Sequence, residues 1–499
     1  MSDKNGYIAV FDVGKTNKKM MIYDEQLQLI DSEALQFSEY IENGIRFERI
    51  DEISTWFFDK LRKFSQQYAI GSVSVTTHGG TFVCIDENGG IPVPVVAYTT
   101  EPDDSFHDEF YSRFGRPDEL QEETATAPMG SLVNTGKNIF FLTKMYPEEF
   151  KNVQWIINYP QYFGYLLTGN VGAEPTYVGC HSFLWEHRKM DWSRVTRELG
   201  ILDRVPEKLS HTWDVLGTVS KEAAEKTGLS ADTVVTMGVH DSNASLLPYL
   251  IKSKEEFVLN STGTWCVMMH PAKDVSFRPG ELGKMIFYKL DVYAHPVKTS
   301  ILMGGLEFET WSAIMKRSAG QESFPAFDPA VYKKIISEKK LFITPSVQKG
   351  TGQFPDSEPR VYDGDRVYHL DEIKNGKIPA FFRDFPTAYA VLNLSLAIQS
   401  KLALERTGMV NGMDLFTEGG FRKNPDYNAL ISAMFQGTQV YQTNLEEATA
   451  FGAALLGKAG MEGNKPENYA DLFEIETVPV ETAAFSGLSE YMEHFFTLL

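Results

Sequence analysis

Short apolar runs alternate with polar turns in the first eighty residues, in the order strand, strand, strand, helix, strand. Between Asp51 and Tyr68 the apolar residues recur at the three- and four-residue spacing of a helix. A further strand then leads into His78-Gly79-Gly80. Strands that enclose a helix in this way predict an α/β domain. The predicted strands are residues 7–12, 19–23, 27–33 and 72–77.

The second half of the chain begins similarly after a polar stretch at residues 252–256. A single hydrophobic core stops growing near about 250–300 residues, so 499 residues predict two domains. We place the boundary just after Pro248, next to this stretch, which gives domains of residues 1–248 and 249–499.

The last quarter of the chain carries the clearest helix signals. Residues 387–406 predict a long helix, and Asn424 and Pro425 predict the capped start of another that runs to residue 437. A third helix is predicted over residues 446–458, which are rich in alanine and leucine. Residues 320–385 contain several prolines and glycines and predict mainly loops.

Two glycine–threonine turns lie about half a chain apart, each between two apolar strands. The first is Asp12-Val13-Gly14-Lys15-Thr16 and the second is Ser261-Thr262-Gly263-Thr264. Glycine leaves bare backbone N–H groups in a tight turn, and the hydroxyls add donors beside them. A single turn of this kind is usually only a hairpin. One in each half predicts a duplicated architecture that holds the phosphates of a nucleotide from both sides.

The composition narrows the class of partner. A formal net charge of −20 disfavours nucleic acids and acidic membrane surfaces, but not ATP, whose phosphates meet local N–H groups and magnesium. The polar residues 1–6, and the lack of an apolar run near about 18 residues, favour a cytoplasmic protein. No metal-ligand spacing relates the three cysteines, Cys84, Cys180 and Cys266.

Aspartates follow two of the predicted strands. Asp12 ends the first, where a carboxylate can hold magnesium, although an aspartate bonded to its own turn is the alternative. Asp241 follows a later strand and opens a helix, where it can take a proton from a substrate hydroxyl. Taken alone, Asp241 is better explained as the N-cap of that helix, and the neighbouring His240 as a packed or hydrogen-bonded ring. A P-loop is excluded, since Ala9 stands where that motif needs glycine and a strand follows.

Six short motifs occur in order along the chain, each weak by itself: DVGKTNKK (12–19), THGGTFVCID (77–86), GVHDSNA (238–244), NSTGTW (260–265), TEGGFRKN (417–424) and EEATAFGAALLG (446–457). In order, spacing and content they resemble the FGGY carbohydrate kinases over nearly the whole chain. The resemblance implies an α/β fold of two ribonuclease-H-like domains, of the actin and hexokinase type, with sugar and ATP in the cleft between them. It also implies Mg²⁺ as a cofactor, and a homodimer by analogy alone.

Carried over to this chain, the resemblance assigns Asp12 to the metal and Asp241 to the catalytic base. The sugar-binding candidates are His78, Gly79, Thr81, Glu101, His240 and Asp241. Loop structure explains Glu101 at least as well. The candidates for the phosphates and the adenosine are Gly14, Thr16, Asn17, Lys19, Gly263, Thr264, Gly419, Gly420 and Asn424. Glu447, Ala448 and Gly452 match the helix that follows the adenosine turn in the family.

Two positions depart from the family pattern. Lys15 stands where the family usually has threonine, serine or alanine, so its ammonium either neutralises phosphate charge or points to solvent. Thr81 stands where fuculose and rhamnulose kinases carry a sugar-binding aspartate. The stretch 75–79 is nevertheless similar to L-fuculose kinases, and Asp241-Ser242 is closer to both kinases than to the glycerol kinases.

We therefore expect ATP-dependent phosphorylation of a ketose such as L-fuculose or L-rhamnulose at a primary hydroxyl. A kinase for xylulose or another ketose or polyol is the alternative within the family. Two alternatives belong to other classes: a catalytically silent sugar or nucleotide sensor, and an actin- or chaperone-like ATPase that moves a protein partner.

Overall fold

Short strands alternate with helices along the computed structural model, which describes residues 6–435 and 437–499. The first half of the chain is given first. Its strands are β1 (Tyr7–Val13), β2 (Asn17–Tyr23), β3 (Leu29–Gln36), β4 (Tyr40–Glu42), β5 (Ile45–Phe47), β6 (Ile70–Thr77), β7 (Phe82–Ile85), β8 (Trp155–Asn158), β9 (Trp185–Glu186), β10 (Asp191–Trp192), β11 (Val215–Thr218), β12 (Val234–Thr236) and β13 (Val239–His240). Its helices are α1 (Ile50–Ser65), α2 (Asp104–Phe114), α3 (Pro117–Thr124), α4 (Thr135–Met145), α5 (Pro147–Phe150), α6 (Tyr159–Thr168), α7 (Pro175–Val178), α8 (Arg194–Glu198), α9 (Lys221–Thr227) and α10 (Asp241–Lys252), with a 3₁₀ turn at Leu202–Arg204.

The second half follows the same alternation. Its strands are β14 (Phe257–Thr262), β15 (Cys266–Pro271), β16 (Ile286–Leu290), β17 (Pro296–Leu302), β18 (Leu341–Ile343), β19 (Arg360–Asp363), β20 (Arg366–His369), β21 (Asp414–Gly419), β22 (Val440–Thr443) and β23 (Thr477–Pro479). Its helices are α11 (Gly304–Ala319), α12 (Pro329–Glu338), α13 (Leu370–Lys374), α14 (Phe385–Thr407), α15 (Pro425–Met434), α16 (Ala448–Glu462) and α17 (Leu488–Thr497), with 3₁₀ turns at Ala380–Arg383, Gly420–Lys423 and Pro466–Leu472.

Two seven-stranded sheets share one strand pattern. The first has the order β11-β12-β6-β1-β2-β3, with β13 also beside β6, and the second has the order β16-β17-β15-β14-β21-β22-β23. The central strand β1 runs antiparallel to β2 and parallel to β6. In the same way β14 runs antiparallel to β15 and parallel to β21. This repetition confirms the predicted pair of ribonuclease-H-like α/β domains.

Helices from both ends of the chain cover the first sheet. On one face α1 packs its apolar side, and the ring of Phe57 stacks on that of Phe11 with 4.7 Å between centroids. On the other face lies α16, where the carbonyl of Gly457 accepts a hydrogen bond from Ser72 Oγ at 2.9 Å. Helix α10, which runs through residue 248, packs against α16. Helix α16, near the C-terminal end of the chain, therefore packs against the first sheet.

Some predicted elements differ from the structure. The third strand begins at Leu29 because Leu27 takes a left-handed φ of 61° and its N–H closes a turn onto the carbonyl of Asp24. The helix capped by Asn424 ends at Met434 instead of reaching residue 437.

Residues 320–385 are loop-rich, as the prolines and glycines indicate, and they also hold regular elements that the sequence pattern did not assign. They contain α12, α13 and the three-stranded sheet β18-β19-β20. The helix α12 buries Tyr332, Ile335 and Ile336 against the core of the second half. Apolar packing outweighs the breaking effect of the nearby prolines and glycines.

Across residues 6–435 and 437–499, the structure holds no helix of the length and apolarity that a membrane crossing needs.

Candidate active site in the cleft

Three strand ends of the first sheet bring two predicted aspartates together. Strands β1, β6 and β13 are parallel, and the register pairs both Asp12 and Val239 with Thr76. His240 ends β13 and occupies the N-cap position of α10, while Asp241 is the first residue of that helix. Because the carboxyl ends of parallel strands meet at one edge of a sheet, Asp12 and Asp241 lie at the same edge.

The carboxylates of Asp12 and Asp241 influence each other. Burial and the charge of Asp241 raise the pKa of Asp12 to about 7. Burial also raises the pKa of Asp241, to about 6, while the ammonium of Lys289 opposes that rise. A divalent cation relieves the repulsion of two such carboxylates, and Mg²⁺ prefers oxygen ligands. Asp12 therefore fits a magnesium ion that arrives with a nucleotide.

The first glycine–threonine turn joins β1 to β2 at this edge. Thr16 and Asn17 are exposed. Beneath them, Lys18 Nζ donates to the carbonyls of Gly14 and Lys15 at 2.9 Å each and so holds the turn in shape. Lys18 is fully buried, and burial lowers its pKa to about 8. Sequence reasoning missed Lys18, although strand alternation sends one of two consecutive lysines inward.

Lys19 connects the two halves of the molecule. Its Nζ lies 2.6 Å from a carboxylate oxygen of Glu447, the residue before α16. Glu447 takes a left-handed φ of 52° at the N-cap position of α16. The ion pair is part-exposed, so it contributes little to stability. The pair holds the ammonium of Lys19, a predicted phosphate-binding residue, beside the start of α16.

Lys15 has a role that neither alternative from the sequence describes. Its Nζ pairs with Glu48 at 2.5 Å and with Glu39, and lies 4.5 Å from the ring centroid of Tyr98. After burial, the charge of Lys15 is the next cause of the lowered pKa of His78. The ammonium is therefore paired with two carboxylates and does not point freely to solvent, and it lies near Tyr98 and the predicted sugar-binding residue His78.

The second glycine–threonine turn and the turn after β21 lie side by side. Strands β14 and β21 are parallel, with Thr262 in register with Gly419. Thr262 Oγ1 donates to the carbonyl of Glu418 at 2.5 Å and accepts from the N–H of Phe421 at 2.9 Å. A Cβ on Gly419, whose φ is 75°, would lie 2.9 Å from the carbonyl carbon of Thr262 and closer still to its oxygen. Only glycine fits there. Four predicted nucleotide-binding residues are exposed at this edge: Gly263, Thr264, Gly419 and Gly420.

Buried polar groups support the predicted adenosine turn from behind. Asn424 caps α15, where its Oδ1 accepts from the N–H of Tyr427 at 3.1 Å and its Nδ2 donates to Asn393 Oδ1 at 2.8 Å. Sequence reasoning missed Glu418, whose carboxylate accepts from the hydroxyl of Tyr249 at 3.1 Å. Burial raises the pKa of Glu418 to about 7.

The loop after β6 and the segment after α7 place a cluster of polar side chains, called the polar pocket below, next to His240 and Asp241. A Cβ on Gly79 would lie 2.8 Å from His240 Nε2 and 3.3 Å from His181 Cδ2, so the two rings flank this glycine. Three buried polar atoms have no partner here: His78 Nε2, Thr81 Oγ1 and His181 Nδ1. Buried polar groups are normally hydrogen-bonded, so these atoms suit a hydroxyl-rich ligand.

The structure brings all the predicted sugar-binding residues to this pocket except Glu101. Glu101 is exposed before α2, and no hydrogen bond or ion pair holds its carboxylate among the residues that the structure describes. Sequence reasoning missed His181 and Lys289. A lysine inside the apolar strand β16 was a signal for Lys289, whereas His181 gave none, because its left-handed φ of 57° is visible only in the structure.

Comparisons with known proteins agree with this arrangement. The model of the N-terminal domain of the FGGY family of carbohydrate kinases matches residues 7–248, and that of the FGGY C-terminal domain matches residues 254–466. L-Fuculokinase of Salmonella typhi is 23% identical over 272 residues, which are 53% of this chain and 57% of that protein. Rhamnulokinase of Halalkalibacterium halodurans is 21% identical over 266 residues, 52% of this chain and 56% of that protein. The chain therefore spans little more than half the length of these curated relatives.

Solved structures match over almost the whole chain. A carbohydrate kinase from Novosphingobium aromaticivorans has a TM-score of 0.77 at 23% identity and covers 99% of this chain and 98% of its own. A ligand-bound xylulose kinase from Lactobacillus acidophilus has a TM-score of 0.78 at 14% identity, with 99% and 96% covered. At these identities the likeness shows the fold. Because the two family models together match most of the sequence, the chain belongs to the FGGY family of carbohydrate kinases.

Proposed function

We propose that this protein transfers the γ-phosphoryl group of ATP to a primary hydroxyl of a ketose, with Asp241 as the general base. The observation that carries the proposal is the position of Asp241. It lies between a pocket of unpartnered polar atoms and the strand edge that holds Asp12, and burial raises its pKa to about 6. A carboxylate with a pKa close to the working pH is suited to accept a hydroxyl proton.

The proposed reaction is an in-line displacement at the γ-phosphorus. Asp241 accepts the proton of the sugar hydroxyl while that oxygen bonds to phosphorus and the bond to the ADP oxygen breaks. The exposed turns at Gly14 and Gly263 offer N–H groups to the phosphates. Asp12 would hold magnesium, which neutralises phosphate charge when bound with the nucleotide. Catalysis here is mainly positioning and electrostatic stabilisation.

A ketose fits the pocket on two grounds. The curated relatives include an L-fuculokinase and a rhamnulokinase. Thr81 departs from their aspartate, but its buried Oγ1 has no partner and offers one hydroxyl to a sugar. We therefore favour L-fuculose or L-rhamnulose as the acceptor, with xylulose as the alternative that the solved structures suggest.

The test is ADP release from MgATP with L-fuculose, L-rhamnulose, xylulose and glycerol in turn. We expect release with one ketose and a loss of at least about 10²-fold in Asp241→Asn, because general-base catalysis contributes about 10²–10⁴-fold. Nucleotide binding, measured by calorimetry, should persist in the variant. Asp86→Asn, in a turn beyond β7, is the matched control and should keep full turnover.

Other outcomes would point elsewhere. Near-normal turnover in Asp241→Asn would remove this residue from the role of base. ATP binding without release for any sugar would indicate a silent sensor. Steady hydrolysis without an acceptor would indicate an ATPase that acts on a protein partner.

A further inference from the structure

Two histidines and a cysteine come together beside the proposed base. The sulfur of Cys180 and one ring nitrogen each of His181 and His240 all lie within 4.8 Å of one another. Across residues 6–435 and 437–499, no other three histidine, cysteine, aspartate or glutamate side chains converge in this way. The phosphoryl transfer proposed above uses no thiol, so it does not explain this group.

The chemistry of the three side chains favours a soft metal ion. Mg²⁺ prefers oxygen ligands, whereas thiolate and imidazole suit Zn²⁺. Zinc bonds of about 2.3 Å to sulfur and about 2.0 Å to nitrogen place the ligand atoms of a tetrahedral site about 3.3–3.6 Å apart. Cys180 Sγ lies 3.8 Å from His240 Nε2, close to that separation. A small movement of the side chains would therefore bring them to coordination distance.

The surroundings hold both rings and leave nitrogens free for a metal. His240 Nδ1 lies 3.0 Å from Ser242 Oγ, which can accept the proton of that nitrogen and leave Nε2 free. The ring of His181 packs on that of Phe287 with 4.7 Å between centroids, and its Nδ1 is buried without a partner. Because His181 as a whole is only partly buried, an ion can reach the group from the polar pocket.

We propose that Cys180, His181 and His240 bind Zn²⁺, and that the bound ion excludes the sugar. Burial raises the pKa of the Cys180 thiol to about 12, and the charge of Lys289 acts against that rise. Zinc therefore displaces the thiol proton, which passes to solvent as the zinc–sulfur bond forms. Three protein ligands leave the fourth coordination position to a water.

The ion would occupy part of the polar pocket. A Cβ on Gly79 would lie 2.8 Å from His240 Nε2, so this nitrogen faces a predicted sugar-binding residue. Asp241 Oδ1 lies 3.3 Å from the same nitrogen. Zinc on His240 would thus take a nitrogen that is otherwise offered to the sugar, next to the proposed base. The exclusion of the sugar rests on the function proposed above, whereas the metal site itself does not.

The first test needs neither nucleotide nor sugar. Co²⁺ can replace Zn²⁺ at such sites, and its bond to a thiolate gives an absorption band in the near ultraviolet. The wild type should bind Co²⁺ with this band, and Zn²⁺ should displace it. In Cys180→Ala the band should disappear, and the affinity for Zn²⁺ should fall by about 100-fold or more.

Two variants complete the binding test. Cys84→Ala, which removes another buried thiol on β7, is the matched control and should bind Co²⁺ as the wild type does. His181→Ala keeps the thiol, so the band should remain while the affinity for Co²⁺ falls. A wild type without the band, or a Cys180→Ala protein that keeps it, would overturn the metal site.

Inhibition of the sugar kinase tests the second part of the proposal. Zn²⁺ should raise KM for the ketose identified by ADP release and leave kcat unchanged, and a zinc-selective chelator should reverse the effect. Cys180→Ala should keep its turnover and need about 100-fold more Zn²⁺ for the same inhibition, unlike Cys84→Ala. Inhibition that excess ketose does not relieve would overturn the exclusion of the sugar. If the wild type phosphorylates no sugar, the proposed function fails while the Co²⁺ titration still decides the metal site.

Discussion

The crossing of α10 and α16 leaves no space for a side chain at Gly452. A Cβ there would lie 2.6 Å from the carbonyl carbon of Ala244 and closer still to its oxygen, whereas ordinary contacts begin at 3.4 Å. Both atoms belong to the backbone, so no rotamer change relieves the overlap. Because packed interiors transmit such strain, Gly452→Ala should push the two helices apart by about 1 Å.

This displacement affects catalysis more than stability. Alanine gains about 1 kcal/mol over glycine in helix propensity, while overpacking costs about 1–3 kcal/mol, so the net loss of stability is about 0–2 kcal/mol. Asp241, however, lies in the first turn of α10, three residues before Ala244. A misplacement of about 1 Å at a catalytic group can lower the rate about 10²-fold. We therefore expect a folded protein with strongly reduced kcat.

The assay is ADP release together with thermal unfolding of the same preparations. Gly130→Ala is the matched control, because Gly130 is exposed and a Cβ there meets no atom within 4 Å. The control should match the wild type in both measurements. Wild-type kcat in Gly452→Ala would refute the reasoning, since it would show that the helix crossing yields without moving Asp241.

Two remaining predictions concern buried charges. In Lys15→Met the charge of Glu48, whose side chain is 4% exposed, has lost its partner, so we expect the free energy of unfolding to fall by about 3 kcal/mol. Adding Glu48→Gln should restore most of this loss. Additive effects of the two changes in a double-mutant cycle would contradict the ion pair. Burial raises the pKa of Glu418 from 4.5 to about 7, so the folded protein binds a proton that the unfolded chain releases, and stability falls as the pH rises from about 4.5 to 7. In Glu418→Gln, the free energy of unfolding measured with urea should not fall in this way between pH 5 and pH 8. The same pH dependence in both proteins would refute the raised pKa of Glu418.

The fold was predictable because its signals are local. Each glycine–threonine turn follows a strand, and the requirement for glycine next to Thr262 is a property of a few neighbouring atoms. The cap at Asn424 and the long helix α14 likewise depend on residues within one turn. In residues 320–385 the prolines and glycines indicate loops, and the packing that forms α12 and the small sheet there leaves no local signal.

The side-chain partners in the site were not predictable, because they are distant in sequence. The carboxylate that pairs with Lys15 belongs to Glu48, 33 residues away, and Lys289 reaches Ser242 across 47 residues. Strand alternation indicates that Lys289 is buried but not what it contacts. His181 gives no signal at all, since its role in the pocket depends on a turn that only the structure shows.

The two departures from the family pattern occur in the same pocket, and together they bear on the substrate. The ammonium of Lys15 lies over Tyr98, whose ring centroid is 5.3 Å from that of His78, but two carboxylates already neutralise this charge. Burial lowers the pKa of the His78 imidazole well below its usual value, so the ring is uncharged, and Thr81 offers a hydroxyl in place of an aspartate. The neutral hydrogen-bonding groups of His78 and Thr81 therefore agree with the uncharged ketose that we propose as the substrate, because the ammonium of Lys15 is already paired with two carboxylates.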